Sequence, residues 1–200
     1  MAGGAPLLLD VGCGEPGSVE LPGAFAAWRR LRIDIDPQVA PDIVASAADL
    51  SAVPSGVADA VWTAHCIEHL WEHEVDTALA EFRRVLKADG FACILVPDLQ
   101  RVAELVAQDR LEEVIYDSPA GPVRPHDVIF GLGAALAHGH AEMGHRCGFT
   151  PASLQRHLRA AGFEGWALLR RPGFELAAVA RARDWPSRGE RDALLKRLGL

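Results

Sequence analysis

The chain has 200 residues, half of them hydrophobic, and a formal net charge of −7. That length and apolar content support one sizeable core, so a single domain over 1–200 is expected, and the acidic balance argues against a nucleic-acid backbone as partner. No stretch approaches the ~20 apolar residues of a membrane span, there is no basic leader with a long apolar core, and Cys13, Cys66, Cys93 and Cys147 form no Cys-x-x-Cys pair, which together predict a cytoplasmic enzyme with free thiols.

Taken in order, Leu7-Leu8-Leu9-Asp10-Val11 suits a buried parallel strand. It breaks into Gly12-Cys13-Gly14-Glu15-Pro16-Gly17, a turn that brings backbone close to a ligand. The residues after it are expected to open a helix whose N-terminal amides favour polar or anionic groups, and 25–30 is a short helical candidate. Residues 31–35 alternate into a second strand stopped by Pro37, and 42–45 form a third. The connection between them holds barely one helical turn. Residues 57–63, entered through Pro54-Ser55-Gly56, are a fourth strand. Over 74–87, Val75, Leu79, Phe82 and Val85-Leu86 recur at helical spacing, and Gly90 is expected to stop that helix in the left-handed conformation. Residues 91–96 are a continuous apolar strand closed by Pro97, and a second helix is predicted over 99–115. Residues 117–148 form a long insertion rich in Gly, Pro and His, with 128–137 apolar enough for a short helix. Thr150-Pro151 is a strong helix start. Residues 166–170 and 174–180, joined by Arg171-Pro172-Gly173, are close enough only for an antiparallel hairpin, and 186–200 suggest a charged terminal helix. The prediction is an α/β fold: a Rossmann-like, doubly wound, mostly parallel sheet ending in an antiparallel C-terminal hairpin. The doublets Arg29-Arg30, Arg83-Arg84 and Arg170-Arg171 read as solvated element ends.

Read literally, Gly12-x-Gly14-x-x-Gly17 with Asp34 about 20 residues on also fits a dinucleotide fingerprint. Asp10 pulls the other way, because a carboxylate beside the turn repels a pyrophosphate and welcomes a cationic head. S-adenosylmethionine has that character, and the closing hairpin is foreign to the ordinary dinucleotide-binding half. Asp10-Val11-Gly12-Cys13-Gly14 on a first strand, with the later motifs, resembles the class I S-adenosylmethionine-dependent methyltransferases of the type 11-like, bacterial kind. The resemblance covers most of the chain, roughly 6–181.

The resemblance implies that Asp10, Gly12, Cys13 and Gly14 lie beneath the cofactor's methionine portion. It implies that Asp34, with Ile35 beside it, meets the ribose, whose two hydroxyls a two-oxygen acceptor can receive; Asp36 is the rival. It assigns Asp49 to the adenine amine and Leu50 to the ring, through its side chain and amide. His65 falls where the family meets cofactor or acceptor. Ser46 stands where many relatives carry an acid, Pro16 where a glycine is common, and Arg84-Val85-Leu86-Lys87-Ala88-Asp89-Gly90 where the helix exit more often reads Lys-Pro-Gly-Gly.

Methyl transfer needs alignment and exclusion of water, and a base only where the acceptor loses a proton. The insertion is expected to cover the active site, with a dimer contact, and hence a homodimer, as the rival use. His145 and then His126 are the candidate proton acceptors. His65, His69 and His73 are spaced by four, and His138, His140 and His145 cluster later, yet neither set includes a carboxylate or cysteine framework, so no metal is expected. Glu68 and His69 are expected to cap and pack the following helix. The function predicted is methyl transfer from S-adenosylmethionine, leaving S-adenosylhomocysteine, to a small-molecule acceptor. The alternatives are a nicotinamide-dependent oxidoreductase and a non-catalytic cofactor-binding module that serves a partner protein.

Overall fold

The computed structural model describes residues 4–17, 20–118 and 120–200. Five parallel strands carry the sheet: β1 (Leu7–Val11), β2 (Arg29–Asp34), β3 (Ile43–Val44), β4 (Ala58–Ala64) and β5 (Leu86–Pro97). The C-terminal strands β8 (Gly165–Arg171) and β9 (Glu175–Arg181) form the hairpin, with β9 antiparallel to β5 and to β8. The order across the seven-stranded sheet is β3-β2-β1-β4-β5-β9-β8. The chain thus winds outward from β1 in one direction and from β4 in the other. Their carboxyl ends frame the crevice where such folds bind ligands.

Apolar side chains leave both faces of the sheet, as a doubly covered parallel sheet requires. On one face Leu7, Leu9, Val11, Val61 and Ile94 pack beneath α1 (Glu72–Val85) and α5 (Pro151–Ala160). Val75, Leu79, Phe82, Leu154 and Leu158 make that layer. Thr150 caps α5 by accepting the Ser153 amide, and buried His157 meets Asp76 of α1 at 2.7 Å. On the other face Leu8, Trp62, Phe91 and Phe25 meet Leu194, Leu195 and Leu198 in and just beyond α6 (Arg188–Arg197). The charged terminal helix therefore closes the second layer.

Several expected boundaries move. The helix expected straight after the glycine turn falls in part on residues 18–19, outside the described residues, and the described remainder of that connection holds only a 3-10 turn at Gly23–Phe25. Residues 29 and 30, read as helix, already belong to β2. α1 begins and ends two residues early, and Gly90 does not stop it: Leu86 is already extended at the helix exit, and Gly90 lies inside β5. The register of β4 on β5 jumps from Ala58↔Leu86 to Ala60↔Phe91, so 87–90 form a bulge. A Cβ on Gly90 would sit 3.1 Å from the carbonyl oxygens of Ala58 and Asp59, so close approach to β4 explains that glycine. The second helix, α2 (Leu99–Val106), is half the expected length.

The insertion folds as a hairpin, β6 (Tyr116–Ser118) and β7 (Gly121–Val123), then α3 (Pro125–Phe130) and α4 (Gly133–Ala137). One helix was expected over 128–137, and Gly131, at φ 98, breaks it into these two. Val123 and Val128 pack on Val102 of α2. The arginine doublets are more than solvated ends. Arg30 pairs with Asp10, Arg84 with Glu81 and the carbonyls of Leu50 and Val53, and Arg171 with Glu175.

Candidate active site

The glycine turn and the end of β4 meet at the crevice between β1 and β4. Gly12 has φ +70, and a Cβ there would lie 2.4 Å from Cys66 Sγ and 2.5 Å from its Cβ, so no larger residue fits. The amides of Gly12 and Cys13 both donate to the Ile33 carbonyl, which ties the turn to β2. At the end of β2, Asp34 accepts the Gly14 amide on Oδ2 at 2.8 Å and the Asp36 amide on Oδ1 at 3.0 Å. Each oxygen keeps lone-pair capacity for a ligand hydroxyl. Ile35 beside it is 63% exposed, an apolar surface at the same strand end.

His65, which directly follows β4, takes the left-handed φ of +51, a strained conformation for a residue with a side chain. Its imidazole lies 3.4 Å from Glu68 and 3.2 Å from Glu175. Burial works against its charge, but the two carboxylates outweigh burial and hold its pKa up at about 10. Burial also works to raise the Glu68 carboxyl, and His65 outweighs it in turn and holds that carboxyl below its ordinary value.

Beyond Glu68 opens a cavity of about 220 Å³. Glu68, Pro97 and Leu99 line it from the sheet side, and Val128, Phe130 and His145 from the insertion. The returning chain is pinned there, because the Arg146 and Cys147 amides both donate to the Glu68 carbonyl at 2.9 and 3.2 Å. His145 Nδ1 donates to the Val128 carbonyl at 2.7 Å, and His69 Nδ1 to the Gly144 carbonyl at 3.2 Å. The two rings stand edge to face, 4.9 Å between centroids. Burial pushes the His145 pKa down.

Residues 9–94 match the family described as a methyltransferase domain. This match spans just under half of the chain and supports S-adenosylmethionine-dependent methyl transfer. Solved structures share its fold. An S-adenosylmethionine-dependent methyltransferase from Methanosarcina mazei has a TM-score of 0.58 at 15% identity, with 90% of this chain and 94% of that one covered. A possible histamine N-methyltransferase from Thermotoga maritima gives 0.56 at 12%, over 92% and 84%. The 1,6-didemethyltoxoflavin-N1-methyltransferase of Burkholderia thailandensis, solved with bound 1,6-didemethyltoxoflavin and S-adenosylhomocysteine, gives 0.51 at 19%, over 90% and 72%. No curated protein matches the chain in sequence. The family match sets aside the nicotinamide alternative. Among the described residues no helix is long and apolar enough to cross a membrane.

The structure gives several of the expected site residues partners of their own. Leu50 is wholly buried, and its amide donates to Glu81 at 2.9 Å, so neither its side chain nor its amide is free for an adenine ring. Asp49 is exposed and receives the Ser51 amide. Asp10 is buried and its charge is already matched by Arg30, so a cationic ligand does not meet it bare. Asp36, the rival of Asp34, caps the 3-10 turn Pro37–Val39 by accepting the Gln38 amide. His126 does not line the cavity, and its ring packs on Phe130, 5.0 Å between centroids. Glu68 and His69 do not start α1: they belong to the 3-10 turn Ile67–His69, and the Trp71 amide at the helix start is received by Glu74. Sequence reasoning missed Glu68 as a cavity residue. Its signal was an acid four residues past the end of a buried strand, followed at once by histidine.

Proposed function

We propose that this methyltransferase acts on a small-molecule acceptor held between the carboxyl ends of its central strands and the insertion over 117–148, with His145 as the group that acts on it. The cavity supports this reading. It is about 220 Å³, suited to a small ligand, and both the sheet and the insertion wall it. The Cys66–Glu68 segment has the glycine turn against Cys66 on one side and the cavity against Glu68 on the other.

Bound at the crevice, S-adenosylmethionine supplies a methyl carbon on a sulfonium, already activated for in-line displacement. In this reading Asp34 receives the ribose hydroxyls and holds their register, because two backbone amides fix its carboxylate in advance. The bare backbone at Gly12 leaves room for close approach. His145 gives its Nδ1 proton to Val128, which leaves the Nε2 lone pair for the acceptor. The insertion walls the cavity and excludes water.

The reading is tested by screening small-molecule hydroxyl and amine acceptors for release of S-adenosylhomocysteine, with calorimetry of cofactor binding alongside. His145→Ala should lower turnover by about 10²-fold or more and leave cofactor affinity near wild type. Undiminished turnover per folded molecule would remove His145 from the chemistry. Turnover with protein or nucleic acid alone would overturn the small-molecule acceptor.

A further inference from the structure

We propose that Glu68, His69 and His145 bind one divalent first-row transition-metal ion at the wall of the acceptor cavity. The proposal rests on the reading that this cavity holds the acceptor, and it assigns His145 a more specific task there. One ligand atom from each of the three residues lies within 4.8 Å of the other two. Three points no farther apart than that share a centre at most about 2.8 Å from each, so a contraction of no more than about 0.7 Å reaches ordinary metal–ligand lengths.

Two further observations point to a ligand. Glu68 is 1% exposed, yet neither carboxylate oxygen has a hydrogen-bond partner among the described residues. His65 Nδ1 stands 3.4 Å from Oε1 without completing a hydrogen bond. His65 compensates the charge in part, and the lone pairs of both buried oxygens stay open to a further ligand. Both histidines also give their Nδ1 protons to backbone carbonyls, of Gly144 and Val128. That fixes the tautomer with the Nε2 lone pair free, the outer support that metal-binding histidines have.

Two imidazoles and one carboxylate suit manganese, iron, cobalt or zinc, with positions left open toward the cavity. The ligand class implied is an acceptor presenting a hydroxyl oxygen to the ion. Coordination lowers the pKa of that hydroxyl, so it binds as the alkoxide, its proton released to solvent as the acceptor enters, and the oxygen lone pair is freed for attack. His145 then acts through the ion, and the metal-free expectation from sequence is revised. The sequence separated the two histidine clusters by more than 60 residues, whereas the fold brings one histidine from each to Glu68.

The test is a titration of chelator-stripped protein with cobalt(II), followed by the visible bands of bound cobalt, and with manganese(II), followed by paramagnetic resonance. One ion per chain is expected. Glu68→Gln and His145→Ala should each weaken it at least about tenfold, and His138→Ala, an exposed histidine outside the cluster, should leave it unchanged. No bound-cobalt spectrum, or a spectrum indifferent to the two cluster variants, would overturn the site. If Glu68→Gln does not fold, the wild-type titration and His145→Ala decide. Calorimetry of S-adenosylmethionine on the same stripped protein keeps the two readings apart. Cofactor binding and acceptor turnover that persist under chelator sink the metal alone, whereas absence of cofactor binding sinks the proposed function.

Discussion

The amides of Gly14 and Asp36 hold the Asp34 carboxylate before any ligand arrives, so an acceptor of ribose hydroxyls there loses little freedom on binding. Asp34→Ala should weaken S-adenosylmethionine binding by about 1.5–3 kcal/mol, the range for hydrogen bonds to a charged group. Calorimetry measures it, with Asp36→Ala as the comparison, since Asp36 caps only a 3-10 turn and should leave affinity within a few-fold. A larger loss from Asp36 would reverse the assignment. At Gly12 two penalties coincide, a positive φ and contact with Cys66. Gly12→Ala should therefore lower both cofactor affinity and melting temperature. Adding Cys66→Ala should restore only part, because that Cβ, 2.5 Å away, remains.

At the scale of the element, the insertion is held by a few polar contacts, which makes its stability separable from that of the sheet. Asp127 lies at the start of α3, where its carboxylate receives the Arg124 guanidinium and the Gly133 amide. The Arg124 guanidinium, against the opposing effect of burial, holds the Asp127 carboxyl down at about 2. An unfolded aspartate titrates near ~3.9. The folded value is the lower one, so this contribution is complete above about pH 4 and is lost as pH falls toward 2. Hydrogen exchange should show α3 and α4 loosening in that window, and Asp127→Asn should abolish the pH dependence. At the break between these helices, a Cβ on Gly131 would lie 2.3 Å from the Met143 carbonyl oxygen. Gly131→Ala should displace the segment that returns to His145 and reduce turnover, while cofactor affinity stays near wild type. Equal loss of both would mean that the insertion also supports the cofactor crevice.

For the whole molecule, the two helical layers are unequal. The layer of α1 and α5 contributes the larger core, with Phe82 wholly buried at its centre. Phe82→Ala should destabilise the protein by about 3–5 kcal/mol, read by chemical denaturation. The cofactor should move the same equilibrium the other way, by about 2.7 kcal/mol at a hundred times its Kd. A thermal shift with S-adenosylmethionine, and none with nicotinamide dinucleotides, is the expected result.

The sequence by itself determined the α/β alternation, the glycine turn on β1, the acid that ends β2 and the closing hairpin. Each is carried by neighbours in the chain: an apolar run, a spacing of glycines, a turn too short for a crossover. The place of Asp34 at the end of β2 was legible for the same reason. Tertiary structure alone decided what each of these groups would touch. Leu50 reads equally well as a ring contact or a core residue, and the fold buries it and gives its amide to Glu81. Arg30 reads as a strand-end charge until Asp10 comes beside it across the β1–β2 pairing. Gly90 reads as a helix stop until the bulge presses it against β4. The meeting of His69 with His145 over Glu68 depends on the chain leaving the sheet at β5 and returning through α3 and α4. Local pattern holds no record of that return, because the contacts that fix it, from Gly131 against Met143 to the Arg146 amide on the Glu68 carbonyl, join residues that only a packed chain makes neighbours.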